Sequence, residues 1–171
     1  MYDPTVFENL KVAFENQIYD LDNIEQKITI SNRLDRMDLS ILARDFALEF
    51  TLIGKPDVAV EIVLKASLQD LSDEILERTS VNLGCSLFVK FKKQVHNVDV
   101  QCEQIDQILK NAWEDEIKIV QKISFIYQDE SSTYFDNIEI EFLEKINEEH
   151  ISDINTFLKQ ILKTLEELNC T

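Results

Sequence analysis

Two hydrophobic periods take turns along the chain. Val6, Phe7, Leu10, Phe14 and Ile18 recur at spacings of three and four, which predicts a helix over Thr5 to Ile18 with one apolar face. Asp3 stands where an N-cap belongs and Pro4 where a first helical residue is tolerated. Beyond Asp20-Leu21-Asp22 the pattern changes, and Ile24, Ile28, Ile30 and Leu34 predict an extended segment. Phe46, Leu48, Phe50 and Leu52 then alternate with Asp45, Ala47, Glu49 and Thr51, the mark of a half-buried strand. After Gly54-Lys55-Pro56-Asp57, the residues Val58, Val60, Ile62 and Leu64 alternate in turn. Two such strands joined so briefly make an antiparallel hairpin near 45–66, because a parallel pair needs a long crossover.

Ser67 is placed to cap a short helix over 67–77, with Leu68, Leu71, Ile75 and Leu76 along one side. Cys85, Leu87, Val89 and Phe91 predict a third strand over 85–95. Ile105, Ile108, Leu109 and Ala112 return to helical spacing over 101–114. For 116–127 and 136–143 the periods of strand and helix fit equally well, so that Gln128 to Tyr134 closes either a second hairpin or a helical pair. Ile154, Phe157, Leu158, Ile161, Leu162, Leu165 and Leu168 form the stripe of a packed helix over 152–169, with Ser152 as its cap. The expectation is a single α+β domain over 1–171, an antiparallel sheet in its N-terminal half and helices on one sheet face.

Composition narrows the chemistry. The 171 residues hold 17 Lys and Arg against 33 Asp and Glu, a net charge of −16 that argues against a nucleic-acid partner. Two glycines and two prolines leave no room for the glycine motifs of dinucleotide, P-loop or α/β-hydrolase sites. Met1 to Asn9 has no basic and apolar leader pattern and no run nears 18 apolar residues, so neither a secretory signal nor a membrane span is expected. Cys85, Cys102 and Cys170 are widely spaced and fit reduced cytoplasmic thiols. The abundance of Ile, Lys, Asn and Glu is the composition of an AT-rich bacterial genome.

No catalytic, cofactor or metal set survives inspection. Pro56-Asp57, Glu61 and Lys65 echo a nuclease pattern, but three residues separate Glu61 from Lys65 where that pattern has one. Asp20-Leu21-Asp22-Asn23-Ile24-Glu25 is dense in oxygen yet lacks the glycine and distal Glu of a calcium loop. His96 and His150 stand without a motif. Lys90, Lys92 and Lys93 around Phe91 read as protection of a sheet edge ahead of a base-stacking platform. Arg33, Arg36 and Arg44 read as partners of nearby acids ahead of an anion anchor.

What remains is the charge. Residues 99–171 carry 17 acids and 6 bases, and the acid gathers at Glu139, Glu141, Glu144, Glu148 and Glu149. These are the expected contact residues for a basic protein partner, as in an inhibitor, an immunity factor or a mimic of nucleic acid. A module that self-associates as a homo-oligomer, and an enzyme with scattered carboxylates, are the alternative readings.

Overall fold

The computed structural model describes residues 5–77, 83–114 and 116–171. Helix α1 (Thr5–Asn23) leads into strands β1 (Ile28–Asp38), β2 (Ala43–Leu52) and β3 (Lys55–Ala66). Helix α2 (Leu68–Ile75), strand β4 (Ser86–Val95) and helix α3 (Val98–Ala112) follow. Strands β5 (Ile117–Ser124) and β6 (Tyr134–Phe142), a 3-10 helix (Glu148–Asp153) and helix α4 (Ile154–Asn169) complete the chain. The six strands form one sheet in the order β1-β2-β3-β4-β6-β5, every neighbouring pair antiparallel. This is the α+β class, but the sheet extends well past the N-terminal half of the chain. Both ambiguous segments are strands, and 125–133 connects them as a hairpin.

Alternation divides the sheet into two faces. Phe46, Leu48 and Phe50 of β2, Val58, Val60, Ile62 and Leu64 of β3, Leu87, Val89 and Phe91 of β4, and Ile138 and Ile140 of β6 are buried on one face. They meet Phe7, Leu10, Phe14 and Ile18 of α1, Ile105 and Leu109 of α3, and Leu158, Ile161, Leu165 and Leu168 of α4 in a single core. Helix α4 touches β2, β3, α1 and α3. Because β4 and β5 run the same way with β6 between them, the connection through α3 is a crossover over the helix-bearing face.

The opposite face is open and ordered by charge. Register aligns Glu49, Glu61, Lys90, Glu139 and Val120 in one row across β2, β3, β4, β6 and β5. The next row is Ala47, Val63, Phe88, Glu141 and Lys118. Cross-strand placing of opposite charges explains why the glutamates of β6 are tolerated in a strand.

Several local expectations are corrected. The β2–β3 turn is Ile53-Gly54, tighter than expected, with Gly54 at φ +71° in the region glycine favours, so Lys55 to Asp57 already belong to β3. Strand β4 is central, so its lysines guard no edge, and Phe91 is fully buried in the core where no base can stack. Asp153, not Ser152, is the N-cap of α4 and makes no side-chain cap bond. The capping box belongs instead to Asn147 and His150, one turn of chain earlier. Ser67 caps α2 as expected, in a reciprocal box with Asp70. The capping roles of Asp3 and Pro4 lie outside the described residues.

Candidate binding groove

Four aromatic residues from four elements converge beside the start of α4. Phe142 ends β6, Phe157 lies in the second turn of α4, Trp113 is the C-cap of α3, and Phe14 comes from α1. Trp113 meets Phe142 edge-on, with ring centroids 5.8 Å apart at 88°, and Phe142 meets Phe157 at 5.7 Å and 70°. Phe157 reaches Phe14 at 6.2 Å and 82°. Contacts of this kind contribute about 0.5–1.5 kcal/mol each beyond simple burial. Phe14 and Trp113 are buried, while Phe142 and Phe157 keep partly open faces.

Those open faces form the floor of a groove of about 940 Å³. Its walls include Ala112 and Glu116 on one side and the segment Leu143 to Ile146, His150, Asp153 and Gln160 on the other. The wall segment is held at two points. The N–H of Leu143 donates to the carbonyl of Glu116 at 3.1 Å. Cys85 and Ile146 exchange two backbone hydrogen bonds of 2.8 and 3.0 Å, an isolated bridge. Gly84 permits that bridge, because a Cβ there would sit 2.2 Å from the carbonyl oxygen of Ile146. Lys145, also part of the lining, pairs with Asp70, itself committed to the cap of α2 through the N–H and hydroxyl of Ser67. His150 accepts the N–H of Asn147 at Nδ1, 3.0 Å away, so its ring is fixed as a cap.

The rim is acidic. Glu116, Glu144 and Asp153 are exposed on the groove lining, and among the described residues none of them has an ion pair. The carboxylates between α1 and the β1–β2 hairpin are arranged differently. Glu8 pairs with Lys11 and Arg44 at 2.9 and 2.7 Å, Asp35 with the same two cations at 3.0 and 3.2 Å, and Glu15 with Arg33 at 2.7 Å. Burial works to raise the carboxyls of Glu8 and Asp35, but the hydrogen bonds from Lys11 and Arg44 outweigh it and hold both below their ordinary values. Arg36 pairs with Asp45 at 3.0 Å, so all three of these arginines face acids of their own chain.

The five glutamates expected to act together are divided. Glu144 lies on the groove rim. Glu139 and Glu141 are on the open sheet face, where Lys90 approaches Glu139 at 3.9 Å and Lys118 opposes Glu141. Glu148 and Glu149 open the 3-10 helix, and Glu148 accepts the side-chain amide of Asn9 at 3.0 Å. Glu116 and Asp153 escaped the sequence reading. Their only sequence signal is proximity to an aromatic, since Trp113, the sole tryptophan, is followed by Glu114-Asp115-Glu116, and Asp153 stands four residues before Phe157.

The remaining candidates stay apart. Glu61 and Lys65 share the open face of β3, and no group of three metal-ligating side chains occurs among the described residues. Asp22 of the acidic hexamer accepts the N–H of Ile30 at 3.2 Å, which anchors the start of β1. His96 follows one end of β4 and His150 packs near the other. Cys85 is buried, and burial followed by the nearby charges of Asp70 and Glu74 pushes its thiol up to about 12. Burial likewise raises Cys102, whose thiol donates to Asp136 at 3.7 Å. Neither is an activated nucleophile. Cysteines 85, 102 and 170 are all free thiols.

No helix among the described residues is long and apolar enough to cross a membrane. Comparison of the chain with protein-family models, with characterised proteins and with solved structures finds no match.

Proposed function

We propose that this is a non-enzymatic binding protein that holds a basic segment of a partner protein in the aromatic groove, as an inhibitor or immunity protein does. One observation carries the reading: Glu116, Glu144 and Asp153 edge a groove floored by Phe142 and Phe157 and, among the described residues, form no ion pair. Such a site suits a peptide whose apolar side chains enter the groove while its Lys or Arg side chains meet the rim. The net charge of −16 adds long-range attraction for a basic partner.

Trp113 provides the readout, because it is the only tryptophan and lies in the groove wall. Titration with a tryptophan-free peptide of alternating leucine and lysine is expected to shift its emission, with affinity falling as salt rises. Joint replacement Glu116→Gln, Glu144→Gln and Asp153→Asn is expected to weaken that binding about tenfold, since exposed pairs contribute roughly 0.2–1 kcal/mol each. An unchanged emission, or binding indifferent to salt and to the triple replacement, rejects the proposal.

A further inference from the structure

Strand β1 is an edge, and among the described residues no strand pairs with its outer side. Residues 31–38 of it are all exposed. Edges of this length are a template for pairing with another molecule, and proteins often blunt them with charged side chains, lysine above all. The opposite edge, β5, is blunted in that way, with Lys118 and Lys122 both on the open face. Antiparallel pairing of β5 with itself about Val120 would set these lysines against each other.

The charges of β1 behave otherwise. Its outer half reads Arg33-Leu34-Asp35-Arg36-Met37-Asp38, alternating in sign. A two-fold axis normal to the sheet requires each pairing to join residues on the same face. Register with β2 puts Arg33, Asp35 and Met37 on the helix-bearing face and Asn32, Leu34, Arg36 and Asp38 on the open face. If the axis passes through Leu34, the two Leu34 side chains meet on the open face. Arg33 then opposes Asp35 of the second copy on the helix face, and Asp35 opposes its Arg33, each extending across the axis the network that already joins Arg33 to Glu15 and Asp35 within one chain. Asn32 opposes Arg36. No like charges oppose one another in this register, whereas centring on Asp35 or Arg36 sets each against itself.

The apolar surface obeys the same symmetry. Beyond one end of β1 the hairpin tip exposes Leu39 and Ile41, at 76% and 59%. Beyond the other end Ile24 and Ile53 are exposed at 74% and 56%. Antiparallel pairing through Leu34 brings the tip of each copy level with Ile24 and Ile53 of the other. The strand and tip also carry little of the repulsion of a chain of net charge −16, because residues 31–44 hold three arginines against two aspartates.

We infer that the protein is a two-fold dimer in which the β1 strands pair antiparallel through Leu34, joining two sheets into one. The dimer leaves the groove beside α4 free and does not depend on what that groove binds.

Sedimentation equilibrium of the full chain is expected to give twice 20.0 kDa. Leu34→Cys in a Cys170→Ser background is expected to form an intermolecular disulfide on mild oxidation, because opposed side chains in antiparallel strands lie within bridging distance. Arg36→Cys, displaced from the axis, is expected not to cross-link. Arg33→Asp is expected to weaken the dimer at least about tenfold, since symmetry counts each change twice. Mixing the Arg33→Asp chain with an Asp35→Arg chain is expected to restore it. Should Asp35→Arg fail to fold, because Asp35 also holds Lys11 and Arg44, the cross-link alone decides. A monomer at millimolar concentration overturns the inference, as does a dimer that neither cross-links at Leu34→Cys nor responds to Arg33→Asp.

Discussion

Asp136 is the polar residue least at ease in the core. It lies on the helix-bearing face of β6, fully buried, with one carboxylate oxygen 3.7 Å from the Cys102 thiol and the other without a hydrogen-bond partner among the described residues. Burial, opposed only by the thiol, pushes its pKa up to about 6 from 3.8. Between pH 3.8 and about 6 the folded state therefore holds a proton that the unfolded chain releases. The stability linked to this group is complete below pH 3.8 and is lost as pH rises through about 6. The difference is worth roughly 3 kcal/mol at neutral pH. Asp136→Asn is expected to raise the denaturation midpoint at pH 7 by a corresponding amount and to have little effect at pH 4. Equal midpoint shifts at both pH values would show that ionisation is not the cause. Gly84 has the opposite character, being irreplaceable for steric reasons. Gly84→Ala combines a backbone clash with a φ of +138° and is expected to cost about 2–4 kcal/mol, measured by urea unfolding. It is also expected to alter Trp113 emission, since the Cys85–Ile146 bridge fixes the groove wall.

Elements differ in what their sequences disclose. Strands β2, β3 and β4 were legible because one side meets helices and the other meets solvent, so burial writes itself as alternation. Strand β6 carries the same period in Ile138 and Ile140, yet its glutamates speak for a helix until Lys90 and Lys118 are known to lie across from them. The β1–β2 hairpin was hidden because its tip, Leu39-Ser40-Ile41-Leu42, is apolar, with only Asp38 accepting the Ser40 N–H at 3.0 Å to mark the bend. The groove was hidden for another reason. Trp113, Phe142 and Phe157 are distant in sequence and meet only through tertiary packing. The junction of α1 with β1 and β2 yields a prediction of its own. Its carboxyls Glu8 and Asp35 titrate below the values of 4.5 and 3.8 that they have when unfolded, so their contribution is present above those values and is lost as pH falls through the lower folded ones. Lys11→Met is expected to reduce stability at pH 7 and to make less difference near pH 2, by thermal unfolding at each pH. A penalty independent of pH would assign the loss to packing alone.

For the molecule as a whole, charge and shape are separately distributed. The open sheet face mixes lysines with glutamates, the α1–β1 junction is internally paired, and the acid of the groove rim, without an ion pair among the described residues, stands beside the aromatic cluster. A chain of net −16 repels itself in the compact state more than in the expanded one. Its melting temperature is therefore expected to rise as sodium chloride is added from low ionic strength, in a direction opposite to the loss of peptide binding. A melting temperature that falls with salt would mean that the internal ion pairs outweigh the general repulsion.

The placement of α4 has a consequence for synthesis. This helix, at residues 154–169, covers β2 and β3, which are complete by residue 66. At about 5–20 residues per second, a ribosome leaves Phe46, Phe50 and Val60 without that cover for roughly 5–20 seconds. The nascent chain thus spends the interval with its stickiest surface in reach of neighbours, and a holding chaperone, slow translation or low expression temperature should govern how much of it survives to fold.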